Sequence, residues 1–401
     1  MYVLDLDRPW LETQFLFHRR LIKSAEEIEL LRHQGIREVV IDTAQGADVE
    51  AAPLPAAATK VPARANSEII SATRLPLSSG TAFQPLVKEL HVARTIHEEA
   101  QAAAKKLFEG VGTGSAVNSV AAKKVVTDLL GSVTRSPEAN LLLVQMRRFQ
   151  KDLFVHAVNL CVLSLVVGTL DGFGNEISAL ALGALLHDIG EIRLAGNLLR
   201  KKHAPTESER RLLQQHPELG FRLLQECENI PELATRIVIE HHERLDGSGY
   251  PFRLTAGQIS PFSQIVAITD AYDALITGRD QAPLQPVEVL RQLYLQGNDG
   301  TLDGELIERI IHCLGVYPIG SLVELNTGER GIVIAANRTD ALRPALRIIS
   351  SRQGLDLPRG PIISLAACDS GSTERRIVRA LDPGKERVDL MSYLKVASGL
   401  H

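Results

Sequence analysis

Seven side chains of the kinds that bind transition metals recur through the middle of this 401-residue chain. They form five elements: His156, the pair His187–Asp188, His216, the pair His241–His242, and Asp270. Successive elements are separated by 31, 28, 25 and 28 residues, each close to the length of one helix and its connection. Each element can therefore lie on a different helix and face a common axis, as in the metal sites of helical bundles.

The sequence around these elements predicts that they are buried. Leu185–Leu186 come directly before His187–Asp188, and the apolar run 265–268 comes before Asp270. A charged carboxylate at the end of an apolar run costs several kcal/mol if it is buried alone. We therefore expect both aspartates to be paired with cations or bound to metal.

The adjacent pair His187–Asp188 favours two metal ions over one. Neighbouring residues on a helix point about 100° apart, so the two side chains cannot easily contact a single ion in the same way. With two ions a few ångströms apart, Asp188 can bridge both while each histidine binds one. Imidazole and carboxylate ligands suit Fe, Mn, Zn, Ni or Co better than Mg or Ca.

Two further residues near the five elements have less certain roles. Half of the 12 histidines lie between 156 and 242, but His203 falls outside the spacing and is interpreted as a surface residue. Asp152 lies four residues before His156 and shares its helix face. It is either an additional metal ligand or a solvated acid.

The pattern of apolar residues predicts a mainly α-helical protein with a small module at each end. Residues 1–45 contain three strand-like runs, MYVLDLD, FLFHRRLI and REVVIDT, with a helix over 24–35 before the last. Residues 46–83 are rich in Ala and Pro and are interpreted as a linker. Connecting helices over 84–149 and a helical domain over 150–315 follow, and residues 316–401 form a β-rich domain with a hairpin turn at 326–328.

Within the helical region, 137–170 and 206–227 are each interpreted as one helical segment. The stretch 84–109 has an apolar stripe that could pack within its own chain or form the seam of a homodimer. We favour packing within the chain, because the stretch lacks the sustained heptads of a coiled coil.

Composition excludes several classes of protein. The formal net charge of −4 and an aromatic content of 4% argue against binding of DNA or RNA, which needs a basic surface and stacking platforms. The most apolar stretch, 157–170, is too short to span a bilayer. The N-terminus lacks the apolar core of a signal peptide, and the four cysteines form no CxxC pair. We expect a cytoplasmic protein with reduced thiols.

The motifs LLHDIG, HPELG, HHERLDGSGYP and DAYDAL, in this order and spacing, resemble those of the HD-GYP family of cyclic di-GMP phosphodiesterases. The resemblance covers about residues 150–315 and implies a helical bundle of the HD type. Residues 1–45 also resemble a small module that often precedes HD-GYP domains. Because Met1 falls inside the pattern of that module, we expect its first residues to be missing or the true start to lie further upstream.

The resemblance implies roles for individual residues. The metal ligands would be His156, His187, Asp188, His216, His241, His242 and Asp270, with Asp152 and Glu191 as candidates for a further ion. Asp188 and Arg279 would be catalytic, and Arg279 would pair with a substrate phosphate. The substrate pocket would include Arg244, Asp246, Gly249, Tyr250, Pro251, Asp273 and Arg279. The implied cofactors are two or three divalent ions, Fe or Mn.

Two positions depart from the family pattern. The family usually has lysine directly after HDIG, where this chain has Glu191, so a phosphate partner is replaced by an anion. Glu191 is four residues from His187 and would reach a metal if the helix continued. The usual Arg-Pro-Tyr is replaced by Arg279–Asp280–Gln281.

The sequence thus leads to one principal functional hypothesis and two alternatives. The principal hypothesis is metal-dependent hydrolysis of cyclic di-GMP to pGpG, GMP or both, in bacterial second-messenger signalling. The first alternative is a weakly active or inactive receptor that binds metal and nucleotide and signals through protein partners. The second is hydrolysis of a different nucleotide.

Overall fold

The computed structural model separates the chain into two compact units, residues 1–82 and 83–401. The residues that it describes are 2–6, 20–22, 28, 32, 36–37, 39–41, 83–146, 152–171, 173–199, 205–279, 282–337, 340–366, 375–390 and 392–393. The first unit contains a three-stranded antiparallel sheet. The second contains the helices and a five-stranded antiparallel sheet.

The sheet of the first unit has its first strand in the centre. Strand β1 (Tyr2–Leu6) pairs with β2 (Arg20–Leu21) on one side and with β3 (Val39–Ile41) on the other. The three strands coincide with the three predicted runs. Of the helix predicted over 24–35, Ile28 is helical, while most of that stretch and the whole predicted linker lie outside the described residues.

Three helices begin the second unit. They are α1 (Phe83–Gly112), α2 (Ser119–Arg135) and α3 (Pro137–Met146). The apolar stripe of α1 packs within its own chain: Leu86, Leu90 and Ala93 share a buried cluster with residues of α3 and of the C-terminal sheet. This is the packing that the sequence favoured for the stripe.

The remaining helices enclose a central one. They are α4 (Leu153–Asp171), α5 (Ile177–Leu186), α6 (Gly196–Leu199), α7 (Glu207–Leu213), α8 (His216–Gln225), α9 (Glu232–Glu240), α10 (Pro261–Thr277), α11 (Pro286–Asn298) and α12 (Gly304–Leu314). Helix α4 contacts α1, α2, α3, α5, α10 and α12. Its residues 155–167 are all buried, as expected for a helix that is apolar on every side. Within the described part of the chain, no helix is long and apolar enough to cross a membrane.

Two predicted helical segments are divided in the structure. The segment 137–170 becomes α3 and α4. The segment 206–227 becomes α7 and α8, and Pro217 lies in the first turn of α8. A proline has no backbone N–H to donate to the preceding turn, so the first helix ends before it and a new one begins.

The C-terminal sheet has the strand order β7-β6-β5-β4-β8. Its strands are β4 (Leu322–Leu325), β5 (Arg330–Ala335), β6 (Ala345–Ser350), β7 (Ile362–Ser364) and β8 (Ile377–Leu381). The predicted hairpin at 326–328 joins β4 to β5, where Gly328 has a φ of +82° and donates its N–H to Leu325 O at 2.9 Å. Strand β8 does not coincide with any strand predicted from the sequence.

Two backbone segments of the helical region approach each other closely at Gly190. It lies in a 3₁₀ turn (Ile189–Arg193) that follows Asp188 and packs on α8. A Cβ atom at position 190 would lie 2.0 Å from His216 O and 2.5 Å from Gly220 N. Only glycine lets the turn that follows Asp188 pack so tightly on the helix that begins at His216.

We predict that Gly190→Ala lowers the free energy of unfolding by about 3 kcal/mol, because the added methyl group forces the two backbones apart. Gly110 is the matched control: it is helical in α1, and the nearest heavy atom to a Cβ there is 4.0 Å away. Gly110→Ala should stabilise the protein by about 0.5–1 kcal/mol. Urea unfolding measures both, and equal stability of the two variants would contradict the prediction.

Candidate metal centre

The structure brings all seven predicted ligands together in two groups. In each group the ligand atoms lie within 4.8 Å of one another. One group is Asp188, His216, His241 and His242, and the other is His156, His187 and Asp270. Six of the seven ligands lie in the first turn of a helix or directly after a helix ends, and Asp270 lies within α10.

Hydrogen bonds to the backbone fix the orientation of three imidazoles. His187 Nδ1 lies 2.8 Å from Ala184 O, His216 Nδ1 lies 2.8 Å from Leu213 O, and His241 Nδ1 lies 2.8 Å from Val238 O. A carbonyl oxygen can only accept, so Nδ1 carries the proton in each ring. When such a ring is neutral, its lone pair is on Nε2, which faces the site in the form that binds metal.

Asp188 divides its two carboxylate oxygens between the groups. Its Oδ1 lies 3.2 Å from His216 Nε2 and 3.6 Å from His241 Nε2. Its Oδ2 lies 3.3 Å from His187 Nε2 and 3.9 Å from His156 Nε2. This is the geometry of a carboxylate that can contact two ions at once.

The charges around Asp188 keep it ionised. Burial alone would favour its neutral form, but His187 and Arg279 hold the pKa of Asp188 well below its usual range. Burial lowers the pKa of His241 to about 4, so this imidazole is neutral near pH 7. A negative carboxylate surrounded by imidazole lone pairs is suited to a cation.

The unsatisfied polar atoms of the site fit a divalent metal ion. His216 Nε2 and His241 Nε2 are 3.2 Å apart, although their Nδ1 hydrogen bonds leave a lone pair on both. Two lone pairs cannot form a hydrogen bond, so this approach is stable only with a cation or an added proton between them. His156 Nε2 and His187 Nε2 are buried without a hydrogen-bond partner. Such nitrogens are costly unless a metal binds them.

Asp273 orients His156 from behind. Its Oδ2 lies 2.7 Å from His156 Nδ1, and its Oδ1 accepts a hydrogen bond from Asn159 Nδ2 at 3.0 Å. The resemblance assigned Asp273 to the pocket wall, whereas here its side chain is buried beneath a metal-ligand candidate. Asp273 is three residues after Asp270 and lies on the same face of α10, but its contact with His156 depends on how α4 and α10 pack.

Two buried glutamates that the sequence analysis missed hold the loop after His242. Glu243 Oε1 accepts the N–H of Phe252 at 2.7 Å, and Glu243 Oε2 accepts that of Leu254 at 2.9 Å. Glu240 Oε2 accepts the N–H of Ser260 at 2.9 Å. The loop is therefore fixed at both ends, immediately beside the histidines. Glu240 and Glu243 lie directly before and after the pair of histidines in the sequence, and this position could have indicated their role.

The predicted pocket residues of this loop occupy different environments. The Tyr250 ring stacks on His242, with centroids 4.6 Å apart, and so lines the site. Gly249 is buried, and a Cβ there would lie 2.4 Å from Arg244 N. Arg244 donates to Glu243 O at 2.9 Å. Pro251 is partly buried beside Tyr250.

Asp246 lies away from the metal-ligand candidates, in the exposed turn of this loop. It accepts hydrogen bonds from Ser248 N at 2.9 Å and from Ser248 Oγ at 2.7 Å. Its carboxylate shapes the turn of the loop that contains Gly249, Tyr250 and Pro251.

Arg279 links the site to Glu191. One terminal nitrogen of the guanidinium lies 2.8 Å from Asp188 Oδ2, and the other lies 2.7 Å from Glu191 Oε1. Gly278, in the left-handed conformation with φ +66°, ends α10 and turns the chain at this point. The helix before His187 ends at Leu186 and does not continue to Glu191, which lies in the 3₁₀ turn.

A further position singled out in the sequence, Asp152, lies outside both ligand groups. Asp152 is exposed directly before α4, where its carbonyl oxygen accepts the N–H groups of Val155 and His156 at 3.0 Å. His203 and the pair Asp280–Gln281 lie outside the described residues.

Family models match three parts of the chain. A domain of unknown function matches residues 1–122, an HD domain matches residues 162–306, and a KOW domain associated with the HD domain matches residues 322–387. The cyclic di-GMP phosphodiesterase PA4108 of Pseudomonas aeruginosa is 28% identical over 94% of this chain and 88% of its own length. The chain thus contains an HD domain and is similar over nearly its whole length to a cyclic di-GMP phosphodiesterase of the HD-GYP type.

Other matches to the chain are more local. The cyclic di-GMP phosphodiesterase response regulator RpfG of Xanthomonas campestris is 36% identical over 29% of this chain and 32% of its own length. Among solved structures, Bd1817, an HDG"Y"P protein from Bdellovibrio bacteriovorus, covers 58% of this chain and 72% of its own, with 21% identity and a TM-score of 0.48.

We predict that Asp273→Asn weakens metal binding by the HD-GYP domain about 10- to 100-fold, because His156 loses the charged partner that orients its ring. Asp128→Asn is the matched control, since Asp128 is an exposed acid paired with Lys124 at 2.7 Å. Competition with a chelator measures both affinities. An Asp273→Asn protein that binds metal as tightly as Asp128→Asn would contradict the assignment.

Proposed function

We propose that this HD-GYP protein hydrolyses the phosphodiester bonds of cyclic di-GMP to pGpG, GMP or both. The observation that carries the proposal is the Asp188 carboxylate, which faces one group of imidazoles with each oxygen. A carboxylate between two ligand groups would hold two ions side by side. In two-metal phosphodiesterases, such a pair of ions stabilises both the attacking and the leaving oxygen. The names of the relatives support cyclic di-GMP as the substrate.

We propose two divalent ions, Fe or Mn, as the cofactor. The seven ligands divide into two groups, one for each ion. The residues considered for a third ion lie elsewhere, because Asp152 is exposed and Glu191 pairs with Arg279. When bound, the ions supply positive charge for the phosphate oxygens and lower the pKa of a water molecule towards neutrality.

The protein's own residues have three tasks in this reaction. Asp188 and the imidazoles of the two groups would hold the ions. Arg279, directly beside Asp188, donates hydrogen bonds to the substrate phosphate as negative charge develops on it. Tyr250 stacks on His242 and closes one side of the site, while Asp273 and Glu243 keep the ligands and the loop in place.

A receptor with little turnover is the second candidate, and a specific contact favours it. Both terminal nitrogens of the Arg279 guanidinium pair with carboxylates, one of them from Glu191. A protein in which that arrangement persists would bind metal without neutralising the phosphate in the transition state. Such a protein would signal through its N-terminal and C-terminal domains.

Hydrolysis of cyclic di-GMP by Mn- or Fe-loaded protein, followed by chromatography of the products, separates the two candidates. We expect the wild type and Asp128→Asn to produce pGpG or GMP. We expect Asp188→Ala to be at least about 10³-fold slower, because the ions lose their shared ligand. If the wild type is inert and Glu191→Lys is active, the enzyme proposal fails and the receptor remains. A panel that includes other cyclic dinucleotides tests the choice of substrate.

A further inference from the structure

We propose that Glu191 competes with the phosphate of the ligand for Arg279 and thereby promotes release of the phosphorylated product. The inference rests on the proposed function, because it assumes that a phosphate binds at the Asp188 centre. It assigns Glu191 a positioning role that acts through the arginine and involves no contact with the metal ions.

The contacts make Arg279 a shared partner of two carboxylates. The side chains of Asp188, Glu191 and Arg279 are 4%, 13% and 26% exposed. Glu191 is thus the more accessible of the two anions, and it lies in a single 3₁₀ turn. An incoming anion would therefore exchange with Glu191 more easily than with Asp188, which is more deeply buried.

A phosphate and a carboxylate bind guanidinium in the same way. Both accept two parallel hydrogen bonds from the planar N–H fork. A phosphate that reaches the two ligand groups lies next to Asp188 and so within reach of Arg279. Each terminal nitrogen carries two N–H groups, so a phosphate competes with Glu191 most directly when it takes the two-point contact that includes the nitrogen now donating to Glu191.

The competition between Glu191 and the phosphate for Arg279 matters more for the product than for the substrate, because the product carries more negative charge. Each phosphate of a cyclic dinucleotide is a diester with one negative charge. Hydrolysis opens one diester and leaves a phosphomonoester, whose second ionisation lies near pH 6, so it carries between one and two charges at pH 7. The displaced Glu191 carboxylate repels the additional negative charge of the phosphomonoester. The product is therefore bound less tightly than it would be without the charge of Glu191.

The test uses equilibrium binding of pGpG, cyclic di-GMP and inorganic phosphate to the Mn-loaded full-length protein, measured by calorimetry. We expect Glu191→Gln to tighten the binding of pGpG about tenfold and that of cyclic di-GMP by a smaller factor. Its Mn content should equal that of the wild type. Glu207→Gln is the matched control, because Glu207 is an exposed glutamate 3.4 Å from Arg211, and it should change none of these values.

A double-mutant cycle tests whether the effect passes through the arginine. In an Arg279→Gln background, Glu191→Gln should no longer tighten the binding of pGpG. In steady-state assays, Glu191→Gln should lower the KM for cyclic di-GMP and the inhibition constant of pGpG. It should also lower kcat if product release limits turnover. Glu191→Ala repeats the test with a side chain that cannot accept a hydrogen bond.

Three results would overturn the inference: unchanged or weaker binding of pGpG by Glu191→Gln and Glu191→Ala, an effect that persists without Arg279, or a loss of bound Mn. The last would make Glu191 a metal ligand. Absence of hydrolysis by the wild type contradicts the proposed function, but tighter binding of pGpG by Glu191→Gln would still support the competition for Arg279.

Discussion

The carboxylate of Asp188 is a buried anion that faces imidazole nitrogens with both of its oxygens. Burying such a charge without compensation costs several kcal/mol, and the arginine beside it compensates on one side only. Where these rings are neutral, their lone pairs repel the carboxylate unless a cation lies between. The arrangement is therefore suited to bound positive charge, and the surrounding helices provide the fixed frame for it.

The frame is built largely from helix ends and from a second layer of carboxylates. His187 and His241 each follow a helix directly and donate the ring proton to a carbonyl oxygen of its last turn, and His216 donates to the last residue of α7. These contacts fix three imidazoles without any further side chain. Asp273 does the same for His156, while Glu240 and Glu243 bind backbone N–H groups of the neighbouring loop. The tight packing at Gly190 holds two of these helix ends together.

Much of this could be predicted from the sequence, because spacing and residue type carry the information. Regular intervals between His and Asp residues predicted which side chains meet, and the 100° between adjacent helical residues predicted a bridging role for Asp188. The role of Asp273 and the pairing of Glu191 with Arg279 could not be predicted in this way. Each depends on a contact between residues that are distant in the chain. The packing of α4 against α10 brings Asp273 to His156, and the end of α5 at Leu186 places Glu191 in the turn that meets Arg279. The short strand β8 was missed because its partner, β4, lies more than 50 residues earlier in the chain.

Crystals of the Mn-loaded protein, with the ions located by anomalous scattering, would test the bridging role of Asp188 most directly. The account predicts two peaks about 3.5–4 Å apart, one beside His216 and His241 and the other beside His156 and His187, with one Asp188 oxygen on each. A single peak, or two peaks of which only one contacts Asp188, would contradict it.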